Sequence, residues 1–266
     1  MRVALGLEYD GAAFCGWQTQ PGGCGVQNAL ERALSEIAAA SVKTYCAGRT
    51  DAGVHAFCQV VHFDTDAVRP LTAWIRGVNA VLPGSVSILW SHEVSGDFHA
   101  RYSATARRYR YFLLNRPQRP GLYGQYAGWF HAPLDAALMQ EGASSLVGEH
   151  DFSAFRAVEC QARNPVRTIR ELKVRRQGDV ICFDITANAY LQHMVRNIVG
   201  ALVYVGCGRQ QPAWIPEILE QRDRTRAAPT FSPNGLYLCS VEYAGHWGLP
   251  GSSPHSFPDA VLAAAD

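Results

Sequence analysis

Apolar and polar positions divide the chain into a regular series of short elements. Residues 2–10, RVALGLEYD, alternate as a half-buried strand does. From Val26 to Ala40, apolar residues recur at Val26, Leu30, Ala33, Leu34 and Ile37, a spacing that predicts a helix buried on one face. Strands are expected at Val42–Cys46 and Phe57–Phe63. A helix follows from about Pro70, where proline suits the first turn, to Val81. Pro83-Gly84 ends that helix, and VSILWSHEV reads as another strand. The order strand–helix–strand–strand–helix–strand is that of a ferredoxin-like unit.

A related order follows. ARRYRYFLL is a strand, LDAALMQEGASSLVG a helix, and VRTIRELKVRR with DVICFDITA an antiparallel pair. The stretch 190–206, YLQHMVRNIVGALVYVG, reads as a helix that is apolar nearly all round and therefore buried. A short helix near Pro212–Gln221 and a strand, LYLCSVEYA, close the series. The expected fold is α+β, with two pseudo-equivalent ferredoxin-like α/β halves whose antiparallel sheets join around a central cleft. The expected division is 1–97, 98–247, and a Gly/Ser/Pro-rich tail at 248–266 read as disordered.

Composition narrows the class. The 266 residues are 48% hydrophobic and 18% charged, values of an ordinary globular chain long enough for a large core. The N-terminus lacks the unbroken apolar core of a signal peptide, and no apolar run reaches the length of a membrane span. A cytoplasmic location is expected. Eight cysteines form no CxxC pair, and the reading favours free thiols over disulfides. The histidines make no HExxH, HxH or Cys/His cluster, so no metal site is expected.

The net charge of +1 conceals an asymmetry. Residues 98–196 carry 14 basic and 8 acidic side chains, net +6, whereas 1–97 carry 6 and 9, net −3. Arginine supplies 22 of the 24 basic residues, and its planar fork suits phosphate contacts and base stacking. Within 98–120, Arg101, Arg107, Arg108, Arg110, Arg116 and Arg119 interleave with Phe98, Tyr102, Tyr109 and Tyr111. Such a run either grips an RNA backbone or forms a solvated strand with its aromatics in the core. Alternation puts Tyr109 and Tyr111 on one face and Arg108 and Arg110 on the other. A second basic run spans Arg156 to Arg176.

Between two strands lies GRTDAGVHA, residues 48–56, with Arg49, Thr50, Asp51 and His55 bracketed by Gly48 and Gly53. Asp51 either makes an Asx-type turn with its own backbone or is presented as a carboxylate at a rim. Arg196, inside the apolar helix, needs either a route to solvent along its stem or an acidic partner. Asp51 is the acidic partner this reading selects.

Taken together, GRTDAGVHA at 48–56, LEYDGAAFCGWQ at 7–18, FHARYSATARRYRYF at 98–112, FRAVECQAR at 155–163, HMVRNIVG at 193–200, DRT at 223–225 and GLYL at 235–238 resemble the tRNA pseudouridine synthase A family. That resemblance implies isomerisation of uridine to pseudouridine at positions 38, 39 and 40 of the tRNA anticodon stem-loop. It implies Asp51 as nucleophile, Arg196 paired with it, Tyr109 against the uracil, Arg49 at the flipped nucleotide and Leu236 under the base. Phe98, His99, Ala100, Arg101 and Tyr102, with Glu159, Cys160, Gln161, Ala162 and Arg163, match stretches that touch tRNA. A homodimer without cofactor is implied as well. The rival readings are a non-catalytic tRNA-binding protein or chaperone and an aspartate-dependent hydrolase.

Overall fold

The computed structural model describes residues 1–250. Among the described residues two compact units emerge, one of residues 1–105 together with 237–250, the other of residues 106–236. The expected division after residue 97 therefore moves, and the expected second half loses both its ends to the first unit. Aromatic packing is the reason. Phe98 meets Tyr243 and Trp247 at 5.2 Å each, the Tyr243 hydroxyl donates to Ala100 O, and Tyr237 stacks on His55 and Phe57. The expected tail lies almost wholly outside the described residues.

The first unit is built as its pattern predicts. Strand β1 (Arg2–Tyr9) runs antiparallel between β3 (His55–Asp64) and β4 (Val86–Val94). The short β2 (Thr44–Cys46) pairs antiparallel with β3, and β10 (Leu236–Tyr243) pairs parallel with it. Val3 and Leu5 lie opposite Phe63 and Val61, all four buried. Helix α1 (Val26–Ala38) turns Leu30 and Leu34 into this core. The second helix runs as a wide π turn, Ala73–Gly77, into α2 (Val78–Val81), and sets Trp74 edge-on to Phe63 at 5.1 Å.

In the second unit, β5 (Ala104–Asn115), β9 (Val180–Ala187), β8 (Val166–Gln177) and β7 (Gly148–Asp151) form an antiparallel ladder. The short β6 (Gly128–Phe130) adds in parallel to β5. Sequence patterning missed β6 and β7, which are too short to show a period. Helix α3 (Ala136–Ser144) starts at Asp135, whose carboxylate accepts from Ala137 N and Leu138 N. Helix α5 (Trp214–Gln221) follows α4. Helix α4 (Met194–Gly206) begins four residues later than the pattern suggests, because His193 sits at φ 62° ahead of it. His193 and Arg196 therefore do not share a helix. As expected, α4 is otherwise buried nearly all round.

Candidate active site

Within the stretch Gly48–Ala56, residues 48–54 belong to the loop that connects β2 to β3, and its shape is fixed from behind by buried groups. Asp51–Val54 is a tight turn closed by Val54 N donating to Asp51 O, 3.1 Å. Gly53 occupies the position that requires a positive φ, +77°. Asp51 itself is half-buried and Arg49 is exposed. Each flank is then pinned. Buried Gln59 donates from Nε2 to Gly48 O at 2.6 Å. The Tyr9 hydroxyl bonds Thr50 Oγ1 at 2.8 Å, and burial pushes the Tyr9 phenol up, so it stays neutral. The segment after β1 supplies a shelf. Trp17 N donates to Thr50 O at 2.9 Å, and Gly16 (φ +98°) lies flat against the loop. A Cβ at Gly16 would come within 2.9 Å of Thr50 O and 3.0 Å of Ala52 N. Gly11 N donates to Nδ1 of buried His55, 3.1 Å.

Of these supports, the sequence marks only His55, as part of the loop itself. Tyr9, Gly16 and Trp17 do lie inside LEYDGAAFCGWQ, so co-occurrence of that stretch with the loop was the available signal. Gln59 lies inside an apolar strand, where a lone amide carries no periodic mark.

The cysteine reading needs correction in this region. Cys15 and Cys24 are joined as a disulfide, with Cα atoms 5.4 Å apart. The loop between β1 and α1 doubles back, Cys15 N donating to Cys24 O at 2.9 Å, and brings the two thiols together. The other six cysteines keep their thiols. Cys46 and Cys58 have thiols pushed up by burial to about 12 and about 11, so they are unreactive packing groups.

A second cluster in the first unit surrounds His62. Its ring stacks on Tyr45 at 5.1 Å and meets His99 at 4.6 Å. Ala100 N donates to His62 Nδ1 at 3.1 Å, which requires that nitrogen unprotonated. Burial, with His99 and Arg2 nearby, lowers the His62 pKa to about 4. Of the 98–102 stretch, Phe98 and Ala100 are fully buried, His99 is partly covered, and Arg101 and Tyr102 face solvent. Arg101 lies over the Tyr102 ring, 5.8 Å from its centre.

In the second unit the strand alternation holds. Tyr109 is buried and meets Tyr190 edge-on at 4.9 Å. On the opposite face, Arg108, Arg110 and Arg175 converge on buried Asp184 at 2.8, 2.9 and 2.8 Å. Arg107 is buried and donates to Asn188 O. Arg107 and Arg110 are therefore structural cations rather than RNA-facing ones, with aromatics in the core on the strand's other positions. Burial alone would push Asp184 up, but Arg110 and Arg108 outweigh it and hold the carboxyl below its usual range.

Arg196, half-buried, donates from Nε to Phe231 O at 2.8 Å. Next to it, Asn197 is fully buried, donates to Phe155 O and accepts from Arg224 and Thr230. The DRT stretch is thus a capping turn: Asp223 accepts from Thr225, and the turn delivers Arg224 to Asn197. Leu236 is buried, with its N–H donating to Pro233 O. Glu159, Gln161 and Arg163 are exposed, whereas Cys160 and Ala162 are half-covered. Among the described residues, no three His, Cys, Asp or Glu side chains come together as metal ligands, and no helix is long and apolar enough to cross a membrane.

Comparison with known proteins agrees with these motifs. The model of the tRNA pseudouridine synthase family matches residues 7–103 and 143–244. A protein of Dechloromonas aromatica (strain RCB) named tRNA pseudouridine synthase A is 59% identical over 98% of this chain and all of its own length. One of the same name from Thiobacillus denitrificans (strain ATCC 25259 / T1) is 56% identical over 95% of this chain and 97% of its own. With the matched segments holding both the Asp51 turn and the Arg196 helix, this chain belongs to the tRNA pseudouridine synthase family.

Proposed function

We propose that this protein isomerises uridine to pseudouridine in tRNA, at positions 38, 39 and 40 of the anticodon stem-loop, with Asp51 as the nucleophile. The observation that carries the reading is the Asp51–Val54 turn, held by Gln59, Tyr9 and Trp17 within the stretch 7–103 that the family model matches. A carboxylate on a loop so braced needs no rearrangement to act.

The target base leaves its stack, at a cost of a few kcal/mol. Asp51 then attacks either the ribose C1′ or uracil C6, which splits one hard step into two easier ones. The N1–C1′ bond breaks, the uracil turns, a C5–C1′ bond forms, the bond to Asp51 breaks with its electron pair returning to the carboxylate, the C5 proton leaves and N1 gains a proton. Tyr109 lies against the base, Leu236 packs beneath it, and Arg49 contacts the flipped nucleotide. The protein works as a cytoplasmic homodimer.

Asp51→Asn should abolish tritium release from tRNA labelled at uridine C5 while tRNA binding stays nearly intact. Full turnover in that variant would remove Asp51 from the mechanism. If carbodiimide treatment and primer extension give no new stops in tRNA exposed to the wild-type protein, it is a tRNA-binding protein or chaperone instead. Sedimentation of the free protein as a monomer would overturn the dimer.

A further inference from the structure

The loop that braces Gly48–Ala56 carries a chemical group that the isomerisation does not use. The Cys15–Cys24 disulfide spans nine positions and sits at the neck of that loop. Cys15 is exposed and Cys24 half-covered. Beside Cys15 lie Gly16, packed on Thr50 and Ala52, and Trp17, bonded to Thr50 O. Beside Cys24 lies Gly25, which precedes α1, and Val26 N donates back to Gly16 O at 3.1 Å. Both stems of the clasped loop therefore meet at the shelf under Asp51. An exposed disulfide is of the exchangeable kind, whereas the thiols of Cys58 and Cys182 are buried.

We propose that Cys15–Cys24 is a reversible thiol–disulfide modification site for low-molecular-weight thiols and disulfides, and that its redox state sets how firmly the Gly16–Trp17 shelf holds the Asp51 turn. In reduction, a small thiolate attacks the exposed Cys15 sulfur, the S–S bond breaks, and Cys24 leaves as a thiolate and takes a proton. A second small thiol then displaces the first from Cys15. Two small thiols supply the two electrons and depart as one small disulfide, leaving two protein thiols. Oxidation by a small disulfide is the reverse. Opening the clasp leaves the backbone bonds of the neck in place but frees the loop tip to fray. The consequence for turnover rests on the reading of Asp51 as nucleophile; the thiol chemistry does not.

The full-length protein is equilibrated over a series of reduced-to-oxidised glutathione ratios, quenched with an alkylating reagent, and weighed intact under denaturing conditions. Six alkylated cysteines are expected at the oxidising end and eight at the reducing end. The variant C15S should take up seven at both ends. Eight throughout for the wild type, or peptide mapping that pairs other cysteines, overturns the site. Hydrogen exchange is then compared between the two forms. Faster exchange at residues 16–23 and 48–54 on reduction supports the coupling, and identical exchange overturns it. Tritium release should show a lower kcat in the reduced form, and equal kcat overturns the effect on turnover. Were neither form to turn over tRNA, the proposed activity would fail, while alkylation and exchange would still decide the clasp.

Discussion

Tyr9 and Gln59 do for the Asp51 turn what a cap does for a helix end, since each satisfies a loop group that has no backbone partner of its own. Tyr9→Phe removes the hydroxyl and leaves Thr50 Oγ1 buried with one partner fewer. Loss of such a bond costs about 1–3 kcal/mol. Urea unfolding should report that loss, and single-turnover isomerisation should slow more than tRNA binding weakens. An unchanged single-turnover rate would mean that the brace is structural only. His62 supplies a pH signature. Its folded pKa of about 4 lies below that of an unfolded histidine, so the fold favours the neutral ring. The resulting stability is complete above about pH 6.5 and drains as pH falls toward about 4, on the order of 2–3 kcal/mol in all. Replacing His62 by Asn should flatten the stability profile across that window, as urea midpoints from pH 7 to pH 4 would show; an unchanged slope would place the titration elsewhere.

At the level of elements, the sheet of the second unit depends on one acid. Asp184 neutralises part of the charge of Arg108, Arg110 and Arg175, of which Arg110 is almost fully buried. Removing one partner from such a buried pair leaves an uncompensated cation at a cost of about 3–5 kcal/mol. Asp184→Asn should lower the urea midpoint accordingly, and a loss under about 1 kcal/mol would mean that solvent already screens the arginines. Because the carboxyl is held below its usual range, its stabilisation is present at neutral pH and is lost as pH falls through that lowered value. The alternation of Arg108 and Arg110 against Tyr109 and Tyr111 was legible, because a strand repeats every two residues. Their partner was not. Asp184 meets Arg110 only through strand register, a relation between residues far apart in sequence. The start of α4 was hidden for a different reason: His193 adopts a left-handed conformation that its residue type does not announce. In the Asp51 loop, the turn could be read from Gly53, whereas Gln59 and the disulfide depend on how separate segments fold together.

Across the whole chain, the charge excess in 98–196 overstates the surface available to RNA. Arg107 and Arg110 are buried, and Arg108 is committed to Asp184. Exposed cations in reach of phosphate include Arg101 in the first unit and Arg163 and Arg170 in the second. Phosphate contacts release counterions, so each one lost should reduce the salt dependence of binding by a slope of about 1. Arg101→Ala and Arg163→Ala should therefore weaken tRNA binding at low salt, flatten its salt dependence, and leave the urea midpoint nearly unchanged. Arg110→Ala should do the opposite, lowering the urea midpoint because it strips Asp184 of its most deeply buried partner. Filter binding from low to moderate salt, run beside urea melts on the same three variants, separates the two groups. If Arg110→Ala flattened the salt slope while Arg101→Ala and Arg163→Ala did not, RNA would lie on the Asp184 face of the sheet, and the exposed cations would be solvated charge alone.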